Sequence, residues 1–152
     1  TVLGGKSIPL AGNDNMSNIP RLSVGASAGH GALSDLEYES GKMAFDRNWL
    51  RDMGADPAKL RVISVQGDSM LPILHHGDDI LVDAGDRFER GKPGIYVLRR
   101  DGEFIGKDIR REKREGLIAI ESKNESFASF SDVPLDSVEI LGRVLWAGRQ
   151  LG

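Results

Sequence analysis

The chain has 152 residues, 39% of them hydrophobic and 28% charged, which is apolar material for one domain of ordinary size. A formal net charge of −3 supplies no basic field for nucleic acid, and the lack of cysteine excludes disulfides, thiolate metal sites and cysteine nucleophiles, in keeping with a reducing compartment. No apolar run nears the roughly 20 residues that span a bilayer and no signal pattern opens the chain, so a soluble, cytoplasmic protein is expected; the start at Thr1 points to a fragment of a longer one.

Residues 1–34 are rich in Gly, Ser, Asn, Ala and Pro and too poor in apolar side chains to offset the entropy of ordering them. They are read as a flexible linker or arm, with residues 35–152 as the folded domain. Within the arm, Pro20 to Val24 alternates polar and apolar residues as a short edge strand would, ahead of a Gly/Ala-rich turn over 25–32.

Residues 42–53 place Phe45, Trp49 and Met53 four apart with Leu50 beside them, which predicts a short amphipathic helix closed by Gly54. Asp56-Pro57 reads as an N-cap followed by proline at the first helical position, hence a single turn. From residue 60 onward the pattern becomes LRVISVQ, DDILVDAG, GIYVLRR, GEFIGKDIR, GLIAIES and SVEILGRVLWAG, separated by Gly-rich turns; the run REKRE is a solvated hairpin turn. The fold class expected is mainly β, compact and antiparallel, with one short helical insert. The last strand, with Trp146, is apolar enough for core and is also a candidate dimer contact.

One turn in this β region raises a chemical question. VQGDSMLPILHHGDDILVD sets Ser69 among turn formers, and most serines so placed only bond nearby backbone. A serine hydroxyl becomes a nucleophile only when a base takes its proton. His75 and His76 follow in a loop where imidazoles are usually exposed turn residues, and His30 lies in the arm; a triad of Ser69 with His76 and Asp78 or Asp83 stays open but nothing singles it out. Lys107 is the better candidate. If residues 103–109 are a strand, Glu103, Ile105, Lys107 and Ile109 share a face, so the lysine sits between two isoleucines, and desolvation favours the neutral amine a general base requires. The competing role is a lysine that snorkels from a sheet edge.

The stretch from Val65 to Asp83, followed by GIYVLRRDGEFIGKDIRR and by LGRVLWAGRQL, resembles the C-terminal domain of LexA and of phage CI-type repressors, which are Ser-Lys self-cleaving proteins; the likeness covers about residues 20–150. Its most specific part is Gly-Asp-Ser-Met-x-Pro with a lysine 38 residues later. The resemblance implies Ser69 as nucleophile and Lys107 as general base; in that chemistry backbone N–H groups near the nucleophile, that of Ser69 and one from Gly67-Asp68 or Met70, would hold the oxyanion, with no metal or cofactor required. It implies a self-cut between a small residue and glycine upstream. Ala28-Gly29 fits, 41 residues before Ser69, and is preferred to Ala11-Gly12, which lacks a strand-like segment before it.

The resemblance further implies a homodimer formed through this domain, a RecA filament on damaged DNA as activator, and DNA contact only through an N-terminal helix-turn-helix domain that this sequence lacks. Glu121 to Ser126 departs from the Ser-Asp-Asn-Pro-like segment common after the lysine strand. Rival readings are a cleavage-deficient dimerisation module, a UmuD-like polymerase accessory protein and, less well matched without an anchor, a signal-peptidase-like enzyme.

Overall fold

The computed structural model describes residues 2–3, 6–7, 15–22, 39–67, 70–100, 103–122 and 128–152. β1 (Val2–Leu3) and β2 (Lys6–Ser7) form a small antiparallel pair. The other strands make one nine-stranded sheet: β3 (Met16–Leu22), β4 (Glu39–Asp46), β5 (Leu60–Ser64), β6 (Asp79–Asp83), β7 (Gly94–Arg100), β8 (Glu103–Arg111), β9 (Leu117–Glu121), β10 (Phe130–Pro134) and β11 (Glu139–Gly148), in the order β10-β9-β8-β7-β11-β6-β5-β3-β4. The fold is mainly β, as its alternating apolar runs predict. Each run read from residue 60 onward becomes a strand, and the 112–116 turn joins β8 to β9.

Two sequence expectations need correction. The helix predicted over 42–53 forms only as α1 (Arg47–Asp52), because residues 42–46 pair instead with β3, Met43 opposite Ile19 and Phe45 opposite Ser17. Met43 and Phe45 alternate with exposed Lys42, Ala44 and Asp46, so a period of two competes with the i,i+4 spacing and sheet pairing wins. Asp46 sets the boundary: its carboxylate accepts from the Asn48 and Trp49 N–H groups at 2.8 and 3.2 Å, as an N-cap does. The helix ends at Asp52 with Met53 as its C-cap, Gly54 follows with a φ of +73° that continues no helix, and the Asp56-Pro57 turn is a single 3-10 turn as expected.

The second correction concerns residues 20–24. The strand runs from Met16 to Leu22, well inside the expected arm, and it is an interior strand between β5 and β4, with Ile19 and Leu22 buried. Local composition did not foresee this because the driving force lies in the neighbours: Ile19 packs with Phe45, Leu50, Leu60, Val62 and Leu81. β3 and β5 are parallel, the exception in an otherwise antiparallel sheet, since α1 and the 3-10 turn carry the chain from β4 across β3.

The structure also adds β10, a strand not among the runs read from sequence. Its residues are exposed apart from a half-buried Val133, as suits an edge strand.

β11 lies at the centre, between β7 and β6. Both its edges are taken, so a second copy cannot add to it by strand pairing. Gly142 sits at its register shift, where a Cβ would lie 2.6 Å from Val82 Cγ1 and 2.7 Å from the Asp83 carbonyl oxygen. Trp146 is packing material, edge-on to Phe45 at 5.5 Å and to Trp49 at 6.4 Å. A second apolar cluster of Ile63, Val65, Ile80, Val82, Val97, Phe104 and Leu141 receives Met70 and Leu74 from the turn after Ser69, and each such buried side chain stabilises by about 1.5–3 kcal/mol.

Candidate active site

The loop from Gly67 to His76 leaves the sheet after β5 and returns to it before β6, and its neck is fastened by three hydrogen bonds. Val65 N–H donates to the Asp78 carbonyl at 2.8 Å and Gly77 N–H to the Val65 carbonyl at 2.9 Å. One step further out no carbonyl is met; Gly67 N–H donates instead to His76 Nδ1 at 2.9 Å. The imidazole therefore extends the neck by one rung, and this fixes its neutral tautomer with the proton on Nε2. Gly67 has a φ of +72°, open to glycine and strained for other residues.

Asp78 closes the base of the loop. It is almost wholly buried, and its carboxylate accepts from Arg149 Nε at 2.7 Å, from Arg149 Nη2 at 2.9 Å and from His75 N–H at 2.9 Å. The hydrogen bonds from Arg149 are the main reason its carboxyl titrates below the ordinary range, outweighing the opposite effect of burial. The Ser-His-Asp arrangement left open by the sequence finds no support here. Asp78 is taken by a guanidinium and a backbone N–H, Asp83 Oδ1 accepts from Gly85 N–H, and His76 Nδ1 is occupied by Gly67.

Past the neck the loop turns back on the core. Leu74 N–H donates to the Met70 carbonyl at 3.0 Å, and both side chains are buried against β8. Gly106 makes that approach possible: a Cβ there would stand 3.0 Å from Leu74 Cδ1 and 3.8 Å from Met70 Cβ. The next residue of β8 is Lys107, opposite Tyr96 in β7 and only 9% exposed, so the expected desolvated lysine is found in the interior of the sheet and not at its edge. It lines a cavity of about 520 Å³ with Ile105, Ile120, Phe130, Val133 and Val138. The walls are mainly apolar, and β10, unforeseen from sequence, supplies Phe130 and Val133.

Of the residues singled out from sequence, Met70, His75, His76, Asp78, Asp83 and Lys107 are described; Met70 packs on the Gly106 face of β8, while Lys107, the next residue of that strand, lines the cavity on the other face. Ser69, the Ala28-Gly29 and Ala11-Gly12 pairs and His30 lie outside the described residues. Sequence reasoning missed Arg149 and the part played by His76, because both act through contacts that close only when the chain is folded. Among the described residues, no group of three or more His, Cys, Asp or Glu side chains could hold a metal ion, and no helix is long and apolar enough to cross a membrane.

The family model described as Peptidase S24-like matches residues 21–145. Curated relatives include the HTH-type transcriptional regulator PrtR of Pseudomonas aeruginosa, 30% identical over 128 residues that make up 81% of this chain and 49% of that protein. Repressor protein CI of Enterobacteria phage phi80 is 30% identical over 145 residues, 93% of this chain and 59% of that protein. An uncharacterized HTH-type transcriptional regulator of Haemophilus influenzae is 26% identical over 134 residues, 85% of this chain and 54% of that protein. The chain thus spans about half the length of the curated relatives it matches.

Proposed function

Given that this chain belongs to the Peptidase S24-like family, we propose that it is the self-cleaving and dimerising part of a phage-type transcriptional repressor, with Ser69 as nucleophile, Lys107 as general base and Ala28-Gly29 as the bond cut. The observation that carries the reading is the burial of Lys107 in the interior of the sheet, only 9% exposed, as the sequence pattern around it requires. A buried lysine is what a Ser-Lys dyad requires, since an amine kept from water gives up its charge more readily.

In the reaction, neutral Lys107 takes the Ser69 hydroxyl proton as Oγ attacks the Ala28 carbonyl carbon. Backbone N–H groups at Ser69 and Met70 hold the oxyanion. The C–N bond breaks as Lys107 returns the proton to the Gly29 nitrogen. Water, activated by the same amine, then hydrolyses the Ser69 ester, leaving the Ala28 carboxylate and restoring the hydroxyl. None of these steps uses a metal or cofactor. The mainly apolar cavity beside Lys107 offers a place for the small residues around the bond.

The relatives' names support the setting: two are HTH-type regulators and one is a repressor. DNA contact belongs to a helix-turn-helix part of the longer protein. This domain joins two copies in the cytoplasm, and a RecA filament stimulates the cut during the DNA-damage response. Severing the link removes the effective concentration that two joined heads enjoy at a two-half-site operator.

The test is mass spectrometry of the purified chain after incubation at pH 7 and pH 10, beside Ser69→Ala and Lys107→Ala. A break between Ala28 and Gly29 that grows with pH and vanishes in both variants supports the dyad. A wild-type chain that stays intact under both conditions, with an activated RecA filament added, leaves a non-enzymatic dimerisation module.

A further inference from the structure

Cutting between Ala28 and Gly29 would break the chain between β3 and β4, yet β3 is an interior strand. On one edge it pairs antiparallel with β4 over its whole length, from Met16 opposite Asp46 to Leu22 opposite Glu39. On the other it pairs in parallel with β5, Arg21 opposite Val62 and Leu22 opposite Ile63. Ile19 is 1% and Leu22 3% exposed. None of these interactions involves the bond that is cut.

Polar bonds fasten both ends of the strand. At its start Arg47 N–H donates to the Asn15 carbonyl at 2.7 Å, while the Arg47 guanidinium reaches Ser17 Oγ and the Met16 carbonyl, each at 3.4 Å. At its end Arg21 Nη2 meets Asp79 Oδ2 at 2.8 Å, with the other oxygen of Asp79 accepting from Ser64 Oγ at 2.9 Å, and Ser40 Oγ donates to the Arg21 carbonyl at 3.3 Å. The partners of β3 come from β4, β5, β6 and α1, all on the far side of the cut.

We propose that the slot between β4 and β5 is a binding site for an extended peptide, filled by the chain's own residues 16–22, and that it retains the N-terminal piece after the chain is cut. The proposal rests on the placement of the cut in the reading above. Cutting and separation are then two steps. The first removes the covalent link and turns an intramolecular pairing into a bimolecular one; the second strips an interior strand from the sheet, and it alone lets the upstream part go. The slot reads its occupant through main-chain bonds on both edges, apolar side chains at the Ile19 and Leu22 positions and a cation at the Arg21 position facing Asp79.

A recognition sequence for a site-specific protease, inserted between residues 28 and 29 of the full chain carrying Ser69→Ala, makes the nick independent of the chain's own chemistry. Native mass spectrometry and size-exclusion chromatography then follow the two pieces at micromolar and nanomolar concentration. The expected result is one complex of both pieces at micromolar concentration that separates on dilution, with separation about fivefold faster in Arg21→Ala, which loses the contact with Asp79 while keeping the buried side chains. An excess of synthetic peptide spanning residues 13–24 should exchange with the bound piece. Pieces that part as fast as the chain is nicked at micromolar concentration overturn the proposal, as does retention that neither Arg21→Ala nor the peptide affects. Failure of the wild-type chain to cut itself is read separately, in the unmodified chain, and bears only on the self-cleavage reading.

Discussion

Arg149 grips the buried carboxylate of Asp78 with two hydrogen bonds, Nε to Oδ1 at 2.7 Å and Nη2 to Oδ2 at 2.9 Å. A residue just past the last strand thereby fastens the base of the loop that begins two residues before Ser69. The carboxyl titrates below its ordinary range because of those bonds, so the contact contributes stability above the unfolded-state pKa and loses it as pH falls through the lower folded value. Urea midpoints at pH 7, 5 and 3 should fall for the wild-type chain below about pH 4. Asp78→Asn should start lower at pH 7 and decline less in acid. Parallel declines for the two chains would show that the pair adds nothing dependent on ionisation.

His76 stands where the neck of the loop runs out of carbonyls, and its Nδ1 accepts from Gly67 N–H. Asparagine can set an amide oxygen near that position; glutamine carries its oxygen one bond further out. His76→Asn is expected to cleave within about twofold of wild type and His76→Gln about fivefold more slowly, the net worth of one such bond. The Gly67 amide proton resonance reports the bond directly, whether or not the chain cuts itself. Equal rates for both variants would remove His76 from the positioning of the loop.

Gly106 should tolerate little. A methyl group there needs Leu74 to yield a few tenths of an ångström, and an isopropyl group needs more than the buried leucine can give. Gly106→Ala is expected to lower stability by about 1 kcal/mol and Gly106→Val by about 1–3 kcal/mol, with self-cleavage slowed in the same order as the 70–74 turn is pushed off β8. Chemical denaturation alongside the cleavage rate tests this; a Gly106→Val chain that cleaves like wild type would separate the turn from the chemistry.

Tyr96, opposite Lys107, is fully buried, and its hydroxyl donates to the Lys92 carbonyl at 2.7 Å. Burial, reinforced by nearby Asp86, pushes its pKa up to about 12. The folded value lies above the unfolded one, so the stability it contributes is present below pH 10 and lost as pH rises through about 12. Absorbance of the phenolate should show Tyr96 ionising near pH 12 together with unfolding, a step missing in Tyr96→Phe. Ionisation near pH 10 in a chain that stays folded would contradict this.

Sequence alone determined what depends on short-range periodicity and local chemistry. Six strands after residue 60 follow from alternation, the 3-10 turn from Asp56-Pro57, and the burial of Lys107 from its place between two isoleucines, because a residue's face in a strand is set by its own neighbours in the chain. Tertiary structure decided what depends on pairing partners. It made Lys42 to Asp46 a strand because β3 offered a ladder, drew Met16 to Leu22 into the sheet because Phe45, Leu50 and Leu60 surround Ile19, and added β10 as an exposed edge with no alternation to show. It also joined Arg149 to Asp78 across 71 residues and gave His76, an exposed loop residue as the sequence suggests, a hydrogen bond that makes it a rung of the loop's neck. Long-range pairing chooses among local preferences that differ by less than the burial free energy it supplies, and that free energy is written in no single segment.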